Sequence, residues 1–599
     1  MNGFRDCNGN FIPVYSKGTV TAVSSVKGAV PEGSVFSLRL SVHHKEESIP
    51  AAGQFFMLRA SKTNVLLARP ISVFHVERKT VSNGIIEAEI DFLILLKGKG
   101  TEELNQLTNG DSVDIIGPLG NTFPLPEDDG KVCVIGGGIG VAPVAGFAET
   151  LKPQSYDFYA SYKSGSYALE NINPAELVIT TDDGSQGIHG MLSAAIDAEK
   201  IASRNYKTVY ACGPLPMLNY VKEICAKANV KCWLSMESRM ACGMGVCLGC
   251  TIQTTDGYKR CCKDGPVFNG ADLIFEKPAA QQARRIPLQG EPDLSVNIGS
   301  LHMKNPVIAC SGTFGFGTEY KTIFDPALLG GIASKGLTIE PRQGNSGIRV
   351  WETPSGLMNS IGLQNPGIPH FIENELPEML KLGTAAIANL SGSSIETYVE
   401  GAKLLEKTDA AAIELNISCP NVATGGAALG MSCSTAGSVT ETIRKITTKP
   451  LIVKLTPQAS DVVGVAMACR EAGADAISLC NSFQGVAIDI EKGRPVFDKV
   501  KAGFGGPAVR PIALRLVYET VQAMNKLPES QRIPVIGIGG IATWQDAVEF
   551  IMAGASAIEI GTATFANPLC MAEIIQGLRS FMIRKGYSSI EEMRGIAQI

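Results

Sequence analysis

The sequence lacks an excess of positive charge, an unbroken apolar run long enough to cross a membrane, and a high aromatic content. Lys and Arg number 53 against 58 Asp and Glu, a net charge of −5, and this balance supplies no basic face for nucleic acid. The longest charge-free apolar stretch, residues 132–148, contains five glycines, whereas a membrane span needs about 20 less interrupted residues. The first residues show no basic segment followed by an apolar core. We therefore expect a cytoplasmic protein with no nucleic-acid or membrane partner.

Glycine and cysteine, in contrast, are plentiful. The 599 residues predict roughly four domains, and 64 of them are glycine, above the usual share of about 7%. In a reducing compartment, 16 cysteines are expected to be buried, catalytic or metal-bound rather than paired in disulfides. Five of them lie close together in the chain: Cys242, Cys247, Cys250, Cys261 and Cys262.

Changes in residue pattern divide the first half of the chain. After an extension at 1–16, residues 17–127 have short apolar runs separated by Gly, Pro and Asn, which predicts a small antiparallel β-barrel. Residues 128–235 alternate strand and helix patterns, as α/β nucleotide-binding domains do. The five cysteines fall in 236–275, and 276–293 is a polar segment expected to be a linker.

Residues 294–599 predict an eight-stranded (β/α) barrel, the TIM-barrel fold. Eight short apolar segments alternate with helix-compatible stretches: 306–313, 331–338, 385–392, 412–421, 450–457, 476–482, 533–541 and 557–564. Nearly every segment ends in a polar residue or glycine, and such barrels place their active sites at the carboxyl ends of the strands. A doubly wound sheet would also have polar strand ends, so the count of eight carries the prediction.

The cysteine spacing predicts an iron–sulfur cluster. Cys242, Cys247 and Cys250 form a C-x4-C-x2-C loop, and a fourth cysteine follows at Cys261 or Cys262. Three thiolates from one glycine-rich loop and one from a later turn are typical of a [2Fe–2S] cluster. A zinc site is the alternative, although zinc loops more often use C-x2-C pairs. Spacing alone leaves the fourth ligand open between Cys261 and Cys262.

Two further strings suggest ligand chemistry. GGGIGVAP (136–143) stands between a predicted strand and helix, where backbone N–H groups can bind a dinucleotide diphosphate; a purely structural turn is the alternative. In ELNISCPN (414–421), asparagine side chains match the amide edges of a pyrimidine dione. Cys419 beside them could accept a proton from a substrate carbon, the alternative being a buried cysteine next to turn-forming residues.

The sequence resembles both subunits of bacterial NAD-linked dihydroorotate dehydrogenase. Residues 237–250 and 262–268 are similar to the E-x-R-M-x-C-G-x-G-x-C-x-x-C and C-x-D-G-P-V-F strings of its electron-transfer subunit. The barrel half is similar to the catalytic subunit throughout, as in NPVIACSGTFGFG, NSIGLQNPG, ELNISCPNVATGG, PLIVKLTP and GTATF. The resemblance implies a fusion of the two subunits. It also implies that the cluster ligands are Cys242, Cys247, Cys250 and Cys262.

The first half further resembles ferredoxin-reductase-like flavoproteins, which implies FAD and NAD sites. The R-P-x-S element and a following glycine turn imply FAD contacts from Arg69, Pro70, Ile71, Ser72, Gly100 and Thr101. The glycine loop and a C-G-P turn imply NAD contacts from Gly136, Gly137, Gly138, Gly140, Cys212, Gly213 and Pro214. The segment TTDDGS has no Arg or Lys, which favours NAD over NADP.

In the barrel, the resemblance implies FMN and substrate sites with two catalytic residues. Cys419 is the expected base, and Lys335 is expected to neutralise charge shared by flavin and substrate. The residues expected to bind FMN are Ser311, Lys335, Gly336, Asn389, Asn416, Lys454, Gly506, Gly539, Gly540, Gly561 and Thr562. Those expected to bind substrate are Lys335, Asn359, Gly362, Leu363, Asn416, Asn421, Asn481 and Ser482.

The resemblance implies oxidation of (S)-dihydroorotate to orotate at FMN. Electrons would pass singly through the cluster to FAD and then as hydride to NAD+, in a homodimer joined through the barrels. One alternative is a dihydropyrimidine dehydrogenase-like enzyme, but that family needs several [4Fe–4S] clusters and the chain has no C-x2-C-x2-C-x3-C-P run. The other is an electron carrier whose barrel is not catalytic, which would predict the loss of substrate-binding Asn or Lys residues.

Overall fold

A computed structural model describes residues 14–45, 49–63, 65–80, 85–126, 130–275, 285–418 and 429–599. The predicted site residues Cys419 and Asn421 therefore lie outside the described residues. The chain divides into two compact units, residues 1–280 and 281–599. No helix in the described ranges is long and apolar enough to span a bilayer.

The first unit begins with a closed antiparallel barrel. Its elements are β1 (Val14–Ser25), β2 (Val35–Lys45), β3 (Phe55–Ala60), β4 (Arg69–Thr80), β5 (Ile85–Leu95), α1 (Lys99–Asn105) and β6 (Ser112–Leu119). The strands close in the order β1-β2-β5-β4-β3-β6. Alternate residues of β2, such as Leu38, Leu40 and Val42, are buried, as expected for a strand with one face toward the core. β1 begins before residue 17, where the sequence analysis placed the start of this barrel.

An α/β domain and the cysteine segment complete the first unit. The α/β elements are β7 (Val132–Gly137), α2 (Val141–Ala148), β8 (Tyr156–Tyr162), β9 (Glu176–Thr181), β10 (Ile188–His189), α3 (Ala198–Ser203), β11 (Thr208–Cys212), α4 (Leu215–Ala228) and β12 (Lys231–Ser235). The cysteine segment adds β13 (Thr251–Thr254), β14 (Gly257–Arg260) and β15 (Val267–Asn269). One sheet, ordered β10-β9-β8-β7-β11-β12-β15, joins them because β15 pairs antiparallel with β12.

The second unit contains sixteen described strands and nine described α-helical segments. The strands are β16 (Val296–Ile298), β17 (Leu301–Met303), β18 (Val307–Ala309), β19 (Gly331–Ala333), β20 (Val350–Thr353), β21 (Gly356–Asn359), β22 (Ala385–Leu390), β23 (Ala412–Asn416), β24 (Leu451–Lys454), β25 (Ala476–Leu479), β26 (Phe483–Val486), β27 (Ile488–Asp489), β28 (Arg494–Pro495), β29 (Lys501–Gly505), β30 (Val535–Ile538) and β31 (Ala557–Ile560). The helices are α5 (Ile368–His370), α6 (Leu376–Leu380), α7 (Ile395–Glu406), α8 (Cys433–Arg444), α9 (Val462–Glu471), α10 (Arg510–Asn525), α11 (Trp544–Met552), α12 (Ala563–Ala566) and α13 (Cys570–Lys585).

Eight of these strands close a parallel barrel in the order β18-β19-β22-β23-β24-β25-β30-β31. Each predicted apolar segment contains one of these strands, so the predicted fold class is confirmed. The strands are nearly continuous runs of buried residues, because their outer faces pack on helices and their inner faces fill the barrel. A separate antiparallel sheet, ordered β20-β21-β29-β26, arises from the connections after β19 and β25.

Candidate active site and electron-transfer sites

A cavity of about 260 Å³ lies at the carboxyl ends of the barrel strands. It brings together most of the described residues predicted to bind FMN or substrate. Those that line it are Ser311, Lys335, Gly336, Asn359, Gly362, Leu363, Asn416, Lys454, Asn481, Ser482, Gly506, Gly539, Gly540, Gly561 and Thr562. Asn389 does not line it. This residue is fully buried, and its amide lies behind Asn416, from which it accepts a hydrogen bond at 3.1 Å.

A buried cation forms part of the cavity wall. The Lys454 ammonium lies 2.9 Å from Glu559 Oε2 and 3.6 Å from Glu414 Oε2. Burial alone would lower the pKa of Lys454, but the neighbouring Cys310, Glu414 and Glu559 side chains outweigh it and hold this pKa well above its ordinary value. Lys454 therefore carries a positive charge inside the barrel, facing a cavity that could accept an electron-rich ring system.

Sequence reasoning missed Glu414 and Glu559, although both stand at inward-facing strand positions. Glu414 is two residues before Asn416 on β23, and Glu559 is two residues before Gly561 on β31. Residues two apart in a strand lie on the same face, so this spacing could have indicated that both glutamates face the same side as the predicted site residues. Without the fold, however, an inward position in a barrel could not be distinguished from an outward one.

A chain of hydrogen bonds connects the predicted asparagines. The Asn481 amide donates to Ser418 Oγ at 2.8 Å, and that hydroxyl donates to Asn416 Oδ1 at 2.7 Å. The Asn416 amide donates to Asn389, which in turn donates to Glu414. All of these hydrogen bonds run in the same direction, from Asn481 toward Glu414, so the orientation of each amide group fixes the orientation of the next. Ser418 also directly precedes Cys419 in the chain.

Glycines shape the opposite end of the cavity for a close approach to the backbone. Gly539 and Gly540 have φ values of 131° and 73°, and a Cβ on Gly540 would lie 2.7 Å from the Arg510 backbone nitrogen. α10 begins at Arg510 and α12 begins just after Thr562. Backbone N–H groups at helix starts bind anionic oxygens, so this end suits a phosphate after barrel strands seven and eight.

The antiparallel sheet over the barrel supplies the remaining wall. Phe483 and Phe504 pair across β26 and β29, and both line the cavity. Asn359 ends β21 and pairs with Gly503 on β29, which places a predicted substrate ligand at the edge of this sheet. Leu363 adopts a positive φ of 55°, a conformation that is unusual for a bulky residue and is often found at functional sites.

In the first unit, the two predicted NAD segments are in contact. The glycine loop links β7 to α2, and the turn 212–214 links β11 to α4. A Cβ on Gly140 would lie 2.7 Å from both Cys212 O and Gly213 Cα. Because glycine alone permits this approach, the loop and the turn form one continuous surface at the carboxyl edge of the parallel strands, where dinucleotides bind.

The predicted FAD segments also meet. A Cβ on Gly100 would lie 2.5 Å from Arg69 Nε, so the guanidinium packs over the start of α1. Thr101 was expected to donate its hydroxyl to phosphate. Its hydroxyl instead donates to Gly98 O at 2.8 Å and accepts the Lys97 and Gly98 N–H groups, so it serves the helix start. Pro70, Ile71 and Ser72 continue from Arg69 along β4, and each is half-buried.

The four predicted cluster cysteines lie in one neighbourhood. Cys242 Sγ accepts the Met244 and Cys247 N–H groups at 3.4 and 3.5 Å, and the Cys250 and Cys262 thiols are hydrogen-bonded to each other. Burial alone would raise the pKa of Cys242, but the N–H groups around its sulfur lower it to about 6. The thiolate, which is the metal-binding form, is therefore favoured at neutral pH.

Cys261 points away from this group. It is fully buried, and its thiol donates to Met236 O at 3.2 Å. No three Cys, His, Asp or Glu side chains among the residues that the structure describes converge on a position for a single metal ion. The backbone N–H groups that donate to sulfur, together with the four cysteine thiols, fit a thiolate-bound cluster.

The cysteine segment packs on the antiparallel barrel. A Cβ on Gly243 would lie 2.6 Å from Met57 Cγ and 3.0 Å from Leu119 Cδ1. Asn121, just beyond β6, exchanges two hydrogen bonds with the Val267 backbone at 2.8 and 2.9 Å. The barrel that contains Arg69 and the cysteine loop are thus in direct contact.

Comparison with known proteins gives matches to both units. The family described as dihydroorotate dehydrogenase matches residues 293–582, and the iron-sulfur cluster binding domain of dihydroorotate dehydrogenase B matches residues 237–274. The catalytic subunit of dihydroorotate dehydrogenase B (NAD(+)) from Petrotoga mobilis is 52% identical over 304 residues, which is 51% of this chain and 99% of the relative. The Parabacteroides distasonis subunit of the same name is 47% identical over 308 residues, with the same coverage of each chain.

A solved structure of an NADH-dependent reduced ferredoxin-NADP oxidoreductase aligns with a TM-score of 0.35 at 24% identity, over 43% of this chain and 89% of that one. The family matches rest on sequence alone and coincide with the barrel and the cysteine segment described above. This chain belongs to the dihydroorotate dehydrogenase family.

Proposed function

We propose that this chain oxidises (S)-dihydroorotate to orotate in pyrimidine biosynthesis and delivers the electrons to NAD+. The observation that carries the proposal is the barrel cavity, where Lys335, Lys454 and three asparagines converge. The relatives that match the barrel over nearly their whole length are named as catalytic subunits of dihydroorotate dehydrogenase B (NAD(+)). The protein is an oxidoreductase with FMN, FAD, a [2Fe–2S] cluster and NAD.

The cavity residues fit FMN. The glycine-rich end supplies N–H groups for the phosphate, and Lys454 supplies a positive charge for the ring system. When bound there, FMN would supply the two-electron, hydride-accepting chemistry that the oxidation requires. The residues proposed to hold it are Ser311, Lys335, Gly336, Asn416, Lys454, Gly506, Gly539, Gly540, Gly561 and Thr562, with Asn389 acting through Asn416.

The chain's own residues position the substrate and move its proton. Cys419 is the proposed base that accepts the proton from C5 of dihydroorotate. A C–H beside a carbonyl is a weak acid, so hydrogen-bond donors must stabilise the enolate charge that develops. The proposed donors are amide groups of Asn359, Asn416, Asn421 and Asn481, with Gly362, Leu363 and Ser482 shaping the site. Lys335 would offset the substrate carboxylate.

The first unit is proposed to pass electrons onward. Flavins would supply two-electron chemistry and an iron–sulfur cluster one-electron chemistry, so a cluster held by the cysteine segment would be the single-electron link between two flavins. Cys242, Cys247, Cys250 and Cys262 are the proposed ligands. The packing of this loop on the antiparallel barrel supports transfer to FAD held near Arg69, Pro70, Ile71, Ser72, Gly100 and Thr101, with NAD against the paired glycine loop and turn.

Other features remain proposals. We infer a homodimer joined through the TIM barrels, a cytoplasmic location, and the six segments bounded at 16, 127, 235, 275 and 293.

The test of the function is anaerobic titration of the purified chain with dihydroorotate, followed by visible and electron spin resonance spectra. Bleaching of both flavins, a reduced [2Fe–2S] signal and NADH formation are expected. Acid-released FMN and FAD in equal amounts are expected too, and FAD alone would indicate an electron carrier instead.

The dihydropyrimidine dehydrogenase-like alternative is tested by comparing a substrate that carries a carboxylate with one that lacks it. Dihydrouracil lacks the carboxylate that Lys335 is proposed to offset, so it is expected to leave the flavins oxidised under the same conditions. Faster flavin reduction by dihydrouracil than by dihydroorotate would contradict the proposed function.

A further inference from the structure

The floor of the barrel cavity contains one cation and two carboxyl groups. Glu414 on β23 and Glu559 on β31 approach the Lys454 ammonium from different strands, at 3.6 and 2.9 Å. None of the three side chains is more than 4% exposed. With both carboxyl groups ionised the almost fully buried group would carry a net charge of −1, and an uncompensated buried charge is costly. One bound proton makes the group neutral.

The surroundings of the two carboxyl groups differ. Glu414 accepts hydrogen bonds from the Ser478 hydroxyl at 3.0 Å and from the Asn389 amide, and these donors favour its ionised form. Glu559 contacts Lys454 and the Cys310 thiol. Burial raises the pKa of this thiol far above neutrality, so it adds no charge.

We propose that Glu414 and Glu559 share a single proton beside Lys454, and that this proton keeps the floor of the FMN cavity electrically neutral. The part of the proposal that concerns FMN rests on the proposed function. Glu559 is thereby a positioning residue that acts through Lys454. The proton is exchanged with solvent and no covalent bond other than O–H is made or broken.

The electrostatics of the two carboxyl groups agree with this geometry. Burial first, and then the neighbouring Glu414 charge, raise the pKa of Glu559 to about 8. For Glu414, the Lys454 charge and the hydrogen bonds with Glu559, Asn389 and Ser478 outweigh burial and lower the pKa. The other charged group lining this cavity among the described residues is Lys335, whose positive charge would favour release of the proton. The shared proton is therefore retained at pH 7 and lost as pH rises through about 8. Negative charge added to the site by reduction of the flavin would move that loss to higher pH.

Infrared spectroscopy of the full-length holoenzyme tests the proposal, because a protonated carboxyl group has a carbonyl stretch that a carboxylate lacks. We expect a buried carboxylic-acid band at pH 7 that disappears near pH 8 in the oxidised protein and at higher pH after reduction with dithionite. Glu559→Gln is expected to abolish the band. Glu414→Gln is also expected to abolish it, because Glu559 freed from its like-charged neighbour ionises beside Lys454.

The matched control is Glu441→Gln on α8, where the carboxylate is exposed and pairs with Lys445; the band is expected to stay unchanged. A wild-type protein without the band at pH 7, or a band that survives in Glu559→Gln, would overturn the proposal. So would a band retained in Glu414→Gln. Because dithionite reduces the protein in place of the substrate, these outcomes do not depend on whether dihydroorotate reduces it. Reduction by dihydroorotate tests the proposed function, and the infrared band tests the shared proton.

Discussion

At the scale of single residues, the proposed base is a thiol that follows directly on a hydrogen-bonded serine. Removing it in Cys419→Ala is expected to slow flavin reduction by dihydroorotate about 10²- to 10⁴-fold at neutral pH, the usual contribution of a positioned base. FMN content should be unchanged, because the phosphate end of the cavity lies on other strands. Anaerobic stopped-flow absorbance measures the rate.

The matched control is Cys433→Ala, which removes an exposed cysteine at the start of α8 and should leave the rate unchanged. An undiminished rate in Cys419→Ala with full FMN content would show that another group accepts the proton.

Glu559 gives a second prediction at this scale, on stability. Its pKa is raised from 4.5 to about 8 in the folded chain, first by burial. Between these values the unfolded chain has released a proton that the folded chain retains, so this residue's contribution to stability falls as pH rises from about 4.5 to 8. Glu559→Gln removes this penalty. Because each unit of pKa shift corresponds to about 1.4 kcal/mol, the variant should be more stable than the wild type by on the order of 5 kcal/mol at pH 8.5.

Thermal unfolding followed through FMN release measures this difference at several pH values. The variant and the wild type are expected to converge toward pH 4.5, because the folded and unfolded chains then both hold the proton. A constant difference at every pH would contradict the assigned titration. Glu441→Gln, with its exposed carboxylate, should show no such divergence.

Residue identities were predicted better than residue environments. The family resemblance predicted Lys454 and Asn416 as FMN contacts, and the structure places both at the cavity. Asn389 was predicted in the same way, yet it is fully buried, lies behind Asn416 and accepts a hydrogen bond from the Asn416 amide. Thr101 was predicted as an FAD contact, and the start of α1 uses its hydroxyl, which only the local backbone geometry reveals.

At the scale of elements, contact between two turns defines the nicotinamide site. Gly140→Ala places a methyl group where Cys212 O and Gly213 Cα lie 2.7 Å away. Separating the loop from the turn should cost about 1–3 kcal/mol, which corresponds to a loss of NADH affinity of about 5- to 150-fold. Dihydroorotate should still bleach the FMN, because the barrel is unaffected. NADH titration and single-turnover flavin reduction measure the two effects.

Glu223→Ala on the exposed face of α4 is the control and should change neither quantity. Equal NADH affinity in Gly140→Ala and wild type would show that the nucleotide does not use this surface.

The elements also show what a sequence can predict. All eight barrel strands were located, because each is a short apolar run between helical patterns and buried on both faces. The antiparallel sheet over the cavity was not, because β20, β21, β26 and β29 are short, half-exposed strands that pair only after the barrel has brought 350–359 and 483–505 together. Sheet pairing between distant segments depends on the fold and leaves little local signal.

At the scale of the whole molecule, the proposed function requires that electrons pass from FMN to FAD, two flavins that can each be reduced separately by their own substrate. In Cys247→Ala, one thiolate ligand is lost from an exposed position, so the fold should persist while the cluster does not assemble. Dihydroorotate should still bleach the FMN, and NADH should still bleach the FAD. Reduction of NAD+ by dihydroorotate should fall to background, because reduced FMN then has no one-electron acceptor that leads to FAD.

The adjacent cysteines sharpen this prediction. Cys262→Ala should behave like Cys247→Ala, whereas Cys261→Ala should retain the [2Fe–2S] spin resonance signal, since the Cys261 thiol is directed to Met236 O rather than to the other thiols. If Cys261→Ala loses the signal and Cys262→Ala keeps it, the ligand assignment is reversed. If NAD+ reduction by dihydroorotate survives in Cys247→Ala without any cluster signal, electrons must travel directly between the flavins, and the cysteine segment is not their route.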